Sequence, residues 1–254
     1  MDLGLRDRVY VVTGGSRGLG LAGARALVAD GARVVLCARD EGTLVAAADS
    51  LGGSDHAMAL PGDMSDTGLG ERLAAAAVGR WGRLDGALVS VGGPPPGPAV
   101  GLTDDQWRDA FDSVFLGPVR IARAVASTIG EDGGALVFVL SLSVKQPVDG
   151  LASSNGLRPG LAMLAKTLAD ELGSRNIRAL GLLPGRVDTD RLRELDQASG
   201  RPKKQREEFE RRIPLGRYGR PEEFGRVAAF ALSPAASYLT GVMIPVDGGL
   251  GRSL

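Results

Sequence analysis

The sequence predicts an α/β fold: a doubly wound parallel sheet of seven strands with helices on both faces. Three observations carry that reading. Short β-branched runs recur with helix-period segments between them, which is how a parallel sheet covered on both sides is written. Strand runs such as GALVFVL at 134–140 are apolar almost throughout, as strands buried on both faces must be. A glycine-rich string follows the first run directly. Glycine accounts for 38 of 254 residues, about twice the ordinary share, and these glycines sit at the ends of hydrophobic runs, not in a linker.

Taken in order, the strand runs are Val9–Thr13, Arg33–Ala38, Ala57–Leu60, Ala87–Val91, Ala135–Ser141, Ile177–Leu183 and Val242–Val246. Between them, Leu19, Ala22, Gly23, Ala26 and Leu27 fall on one helical face. Trp107, Ala110, Phe111, Val114 and Phe115 do the same, as do Leu161, Leu164, Ala165 and Leu168, and then Phe224, Val227, Ala228, Ala231 and Leu232. Thr103 with Gln106 reads as a capping box, and Pro221 followed by Glu222 and Glu223 as a helix start. Pro159 lies where a helix is expected. It lacks the N–H that would bond to the Asn155 carbonyl, so the helix is expected to begin near Pro159 or to be distorted between Asn155 and Gly160. The charged stretch from Arg201 to Arg212 reads as a mobile insertion, and the charge pattern between Thr189 and Ile213 suggests solvated helices. No composition shift marks a boundary, so residues 1–254 read as a single Rossmann-type domain.

Composition excludes several functions. Lys and Arg total 30 against 30 Asp and Glu, which argues against nucleic acid as a partner. A single His (His56) and a single Cys (Cys37) leave no metal site of the zinc type and no internal disulfide. His56 precedes the third strand and reads as structural, Cys37 as a small buried residue. No apolar run approaches about 18 residues, so no membrane span is expected. The charged N-terminus runs straight into a strand, and the protein is expected to be cytoplasmic.

The string Thr13-Gly14-Gly15-Ser16-Arg17-Gly18-Leu19-Gly20 closes a strand and opens a helix. That context suits a phosphate-binding turn: glycines admit the backbone close to a pyrophosphate, and the helix N-terminus offers unpaired N–H groups to it. The spacing is G-x-x-x-G-x-G. With its leading Thr it resembles the short-chain dehydrogenase/reductase family. The resemblance extends through Asp63-Met64 in PGDMSD, Pro184-Gly185-Arg186-Val187-Asp188-Thr189, the string IPLGRYGRPEEF from Ile213 and TGVMIPVDGG from Thr240. It implies that Asp63 and Met64 border the adenine, that Gly92 lies on the cofactor, and that Pro184, Gly185, Val187 and Thr189 run along the nicotinamide. It also implies a substrate lid over roughly 190–213. The strings at Gly92–Gly97 and Ser143–Pro147 are similar to a divergent, 3-oxoacyl-carrier-protein reductase-like branch.

An acid at the end of the second strand would bind ribose hydroxyls and repel a 2′-phosphate. That strand ends in Arg39 here, with Asp40 one residue later, and Arg17 adds a second cation in the glycine turn. Two guanidinium groups can grip a phosphate, so NADP is favoured over NAD.

Aligned on the resemblance, Ser141 takes the family's carbonyl-orienting serine position. Ser154 stands where the family has its proton-donating tyrosine, Arg158 where it has lysine, Val114 where it has asparagine, and Val89-Ser90-Val91-Gly92 where it has NNAG. A serine hydroxyl is a far weaker acid than a phenol, and a guanidinium does not pass on a proton. Tyr10 lies in the first strand, and Tyr218 and Tyr238 lie in C-terminal strings. Lys145, in the loop after Ser141, reads either as a substrate anchor and substitute proton source or as a solvated loop lysine. Two functional readings stand. One is an NADP(H)-dependent carbonyl reductase or alcohol dehydrogenase with an altered proton donor, working on a small carbonyl or alcohol. The other is a cofactor-holding protein that has lost turnover, a sensor or assembly subunit. The resemblance further implies a homotetramer built on the helices after the fourth and fifth strands, with Ala162, Ala165 and Ala169 offering small residues for close packing.

Overall fold

The computed structural model describes residues 2–198 and 200–253. Seven strands lie in one sheet: β1 (Val9–Thr13), β2 (Arg33–Cys37), β3 (Ala57–Ala59), β4 (Gly86–Val89), β5 (Gly134–Val139), β6 (Ile177–Pro184) and β7 (Met243–Val246). Their order is β3-β2-β1-β4-β5-β6-β7, and every neighbouring pair is parallel. The expected runs match these strands to within two residues at either end. Period-two alternation along β1 sends Val9 and Val11 to one face and Tyr10 and Val12 to the other, and all four are buried. The first face is covered by α3 (Leu69–Trp81), α5 (Gly117–Thr128) and α6 (Ala152–Leu172). The second is covered by α1 (Gly18–Ala29), α2 (Glu41–Asp49) and α9 (Pro221–Leu232).

Helix α4 (Asp104–Phe111) opens with the expected capping box, in which Thr103 accepts from the Gln106 N–H and Gln106 accepts from the Thr103 N–H. A π-helical turn, Asp112–Leu116, joins it to α5. Such turns add one residue to a helix and often occur at functional sites. Ala110 and Val114 point inward, while Phe111 is 41% exposed and stacks on Phe115 with ring centroids 5.2 Å apart.

Three expectations are corrected. Helix α6 runs unbroken from Ala152 with Pro159 inside it, so it neither starts late nor breaks at 155–160. The bond lost at the Asn155 carbonyl is outweighed locally. The Asn155 amide is clamped to both the N–H and the carbonyl of Val148 at 3.0 and 2.9 Å, and Ser153, Ser154, Arg158, Leu161 and Ala162 are all buried by the same helix. Ala162, Ala165 and Ala169 belong to the protomer's own core, so they do not present a close-packing surface outward. Finally, the charged 201–212 stretch is ordered as α8 (Pro202–Arg212), following α7 (Asp190–Ala198). Its anchor is Arg186, whose guanidinium lies 3.4 Å over the Phe209 ring and donates to Asp196 at 2.8 Å. Asp196 also accepts from the Tyr218 hydroxyl at 3.1 Å.

At the opposite end of the sheet from the glycine turn, the buried Asp85 carboxylate accepts from the Val9 N–H at 2.8 Å and from Arg8 and Arg83. Asp85→Ala strands a buried N–H and removes three charge-assisted bonds from two arginines. We expect it to lower stability by about 2–3 kcal/mol, read as a fall in urea midpoint at constant slope. A loss below about 0.5 kcal/mol would contradict this.

Candidate active site

The sheet winds outward in opposite directions from β1 and β4, which opens a crevice at their C-terminal ends. Thr13 and Ser90 form its floor. The Thr13 hydroxyl donates to the Ser90 carbonyl at 2.7 Å and accepts from the Ser90 N–H at 2.9 Å. The hydroxyl of Thr13 is therefore used up in joining the two strand ends. Its contribution to a cofactor site is to hold the turn that follows.

That turn is shaped by backbone crowding. Gly14 and Gly18 take left-handed φ values of 58°, and a Cβ at Gly20 would collide with the Gly14 carbonyl oxygen. The helix N-terminus is left open: Arg17 sits at the cap position without a side-chain capping bond, and no acid lies in the first turn of α1. The first-turn N–H groups of Gly18, Leu19 and Gly20 have no intrahelical acceptor, and Ser16 precedes them at the mouth of the turn. The positive end of a helix with no acid in its first turn suits an anion.

Arg39 leaves the end of β2, 82% exposed, with its Nε 3.9 Å from Asp63. Asp63 accepts from the Ser65 hydroxyl and N–H, bonds that hold its carboxyl below the usual range. Met64 follows, its backbone packed against the start of α5 at Gly117. Asp40 does not compete with Arg39 for a ribose, because it caps α2 by accepting from the Thr43 N–H at 2.8 Å. Cys37 is buried beside the Gly62 carbonyl, and desolvation pushes its thiol up to about 11.

The other wall is the segment after β6. Pro184 ends the strand, Gly185 donates to the Val246 carbonyl, Val187 bridges to Gly219, and Thr189 comes close to Gly18 across the crevice. Helix α7 roofs this opening. Arg191 donates to the Pro94 carbonyl at 3.2 Å, in the loop that begins at the exposed Gly92, and Glu194 lies 3.7 Å from both Arg17 and Arg191.

Beyond β5 the chain brings three serines together. Ser141 accepts from the Ser143 N–H and starts a short 3-10 turn, Leu142–Val144, which places exposed Lys145 just after it. The buried Ser143 and Ser154 hydroxyls are 3.1 Å apart. One turn on from Ser154, Arg158 is 6% exposed and donates from Nη1 to the carbonyls of Val139 and Leu140, at 2.8 and 3.0 Å. Ser154 and Arg158 thus share the inner face of α6, contrary to the distorted helix expected around Pro159. Neither Ser143 nor the roof residues Arg191 and Glu194 is picked out by the sequence, because no local spacing ties them to Ser154 or Arg17. The tyrosines lie elsewhere: Tyr10 donates to the Leu232 carbonyl, Tyr218 to Asp196, and Tyr238 is fully exposed. Burial raises the Tyr10 phenol well above its ordinary value and pushes Tyr218 up to about 12. Among the described residues there is no His, Cys, Asp and Glu grouping able to hold a metal.

A family model described as enoyl-(acyl carrier protein) reductase matches residues 14–251. Human dehydrogenase/reductase SDR family member 4 is 33% identical over 251 residues, covering 96% of this chain and 88% of that one. This chain belongs to the short-chain dehydrogenase/reductase family. It is also similar to the 3-oxoacyl-acyl-carrier-protein reductase MabA of Mycobacterium bovis, 31% identical over 246 residues with 96% and 93% of the two chains covered. Among solved structures, L-sorbose reductase of Gluconobacter frateurii, complexed with NADPH and L-sorbose, superposes with a TM-score of 0.92 at 28% identity, covering both chains fully. The family's doubly wound sheet is the one found here.

The Thr13–Ser90 exchange predicts a substitution pair. Thr13→Val leaves a buried carbonyl and N–H unpaired and should cost about 2–4 kcal/mol, whereas Thr13→Ser should recover most of it. Thermal denaturation of both variants checks this, and equal melting temperatures would contradict it.

Proposed function

We propose that the protein is an NADP(H)-dependent oxidoreductase of the carbonyl reductase or alcohol dehydrogenase type, acting on a small carbonyl or alcohol. The observation that carries this reading is one crevice with two different ends. An uncapped helix N-terminus lies at one end beside exposed Arg17 and Arg39, and Ser141, Ser154 and Arg158 gather at the other. The residues fit a phosphorylated dinucleotide. Gly14, Ser16, Gly18, Leu19 and Gly20 would take the pyrophosphate, Arg17 and Arg39 the 2′-phosphate, Asp63 and Met64 the adenine side, and Gly92, Pro184, Gly185, Val187 and Thr189 the nicotinamide side. The bound cofactor would supply or accept hydride. The whole chain, 1–254, would act as one domain, with α7 and α8 as the lid over roughly 190–213. We place it in the cytoplasm; no helix among the described residues is long and apolar enough to cross a membrane.

The protein's own part in the chemistry is positioning and electrostatics. Ser141 would orient the carbonyl. Ser154 replaces the tyrosine, and its hydroxyl is too weak an acid to deliver a proton as a phenol does. Arg158 replaces the lysine and contributes positive potential without relaying a proton. Val114 closes the position of the relay asparagine with a buried aliphatic chain. The proton would then come from water, from Lys145 or from the substrate itself. The tyrosine positions also favour the second reading, a cofactor-holding sensor or assembly subunit. An NADPH-consumption assay over small ketones and 3-oxo esters separates the two: rates above blanks support the enzyme, and binding without turnover supports the sensor.

A homotetramer is supported by an apolar face on α4 to α6 that the protomer leaves uncovered. Exposed Phe111 stacks on Phe115, Met163 is 68% exposed, and Gly156 and Gly160 lie flat beneath the rings of Trp107 and Phe115. Light scattering should give four copies, or two at low concentration. A monomer at micromolar concentration would contradict this.

For the cofactor, NADPH should bind at least about tenfold more tightly than NADH, the scale of one charge-assisted contact. Arg39→Ala should shrink that ratio while leaving NADH affinity nearly unchanged. Equal affinities in the parent protein would make both arginines bystanders.

A further inference from the structure

Among the described residues two arginines, Arg158 and Arg178, are buried and Arg186 is partly buried, and their guanidinium groups are compensated differently. Arg186 faces Asp196 at 2.8 Å. Arg178 donates to the carbonyls of Ala231, Ser233 and Leu239 around the end of α9, where the helix dipole supplies negative charge. Arg158 has neither. Its nearest acceptors are two carbonyls at the end of a strand, and it makes no ion pair with any described acid. Burial alone pulls its ordinary value down, to about 10. A buried cation without an anion is costly, and proteins seldom keep one uncompensated.

A guanidinium carries five N–H donors. Both bonds that Arg158 makes come from Nη1, so Nε and Nη2 donate to nothing among the described residues. No fully enclosed side-chain nitrogen or oxygen among those residues lacks a partner, so these N–H groups keep some contact with solvent. Nε and Nη2 form the edge of the fork that matches a carboxylate bidentately. Ser154 stands one turn away on the same face. Its hydroxyl lies 3.1 Å from that of Ser143, and either can donate to the other, so a ligand that accepts from Ser154 is served when Ser143 is the donor of the pair. The ribose hydroxyls of a dinucleotide could accept from such donors, but they are neutral and would leave the charge unbalanced.

We propose that the substrate is itself an anion: a carbonyl compound bearing a carboxylate, a 2-oxo or 3-oxo acid, whose carboxylate is held by Arg158 Nε and Nη2 with the Ser154 hydroxyl. This rests on the oxidoreductase reading and narrows its substrate class.

Calorimetric titration of oxamate and its uncharged counterpart oxamide tests it, on the free protein and again after addition of NADPH. Oxamate should bind at least about tenfold more tightly than oxamide, the scale of a charge-assisted fork. In Arg158→Met that preference should vanish. Arg158→Lys, which keeps the charge but loses the fork, should reduce it several-fold and serves as the deciding variant if the Met form does not fold. Ser154→Ala should weaken oxamate and spare oxamide. Equal binding of the two probes, binding of neither, or a preference that survives both Arg158 substitutions overturns the proposal. Failure of NADPH to bind in the same experiment would instead strike the cofactor reading, since the preference for oxamate is expected in the free protein too.

Discussion

Thr13 and Ser90 exchange two hydrogen bonds across the ends of β1 and β4, where the sheet reverses its direction of winding. The exchange fixes the point from which the chain departs on either side of the crevice. On one side it sets the glycine turn, which is so tight that Gly20 lies against the Gly14 carbonyl and the N-terminus of α1 is presented bare. On the other it sets the loop from Gly92 to Gly97, whose Pro94 carbonyl accepts from Arg191 of α7. The site is thus a consequence of sheet order and of one pair of polar groups, with the side chains of β5 and α6 completing it. Families of this kind place very different chemistries on the same crevice, so function has to be argued from those last side chains.

Those side chains are hydroxyls and one guanidinium. The inner face of α6 carries Ser154 and Arg158, and the short turn after β5 supplies Ser141 and Ser143. None of these groups gives up a proton readily near neutral pH. What the cluster does offer is a buried cation with buried hydroxyls one turn away. Preorganised positive charge of this sort is most effective where water is excluded, because the field is little screened. Helices α7 and α8 are tied down by the Arg186–Asp196–Tyr218 group and by stacking on Phe209.

The fold was legible in the sequence because its signals are local. Strand runs, the capping box at Thr103 and the glycine turn each declare themselves within a few residues, and each lies where it was expected. What was misread depends on partners distant in sequence. Pro159 disfavours a helix on local grounds, yet α6 continues through it because its neighbours are buried and Asn155 is clamped to Val148. The 201–212 stretch looks like a solvated insertion until Arg186 and Tyr218 arrive from outside it. Asp40 offers an ambiguous acid in the sequence and a helix cap in the structure. Ser143 could not be paired with Ser154 from spacing alone, since a loop of irregular shape brings them together.

The central claim is the proposal that the buried Arg158, with the Ser154 hydroxyl one turn away, holds the carboxylate of an anionic substrate. A crystal structure of the protein with NADPH and oxamate tests it most directly. The account predicts dinucleotide along the Gly14–Gly20 turn, with the oxamate carboxylate on Arg158 Nε and Nη2 and within hydrogen-bond reach of Ser154. Oxamate bound elsewhere, with Arg158 engaged only by the ribose, would contradict it.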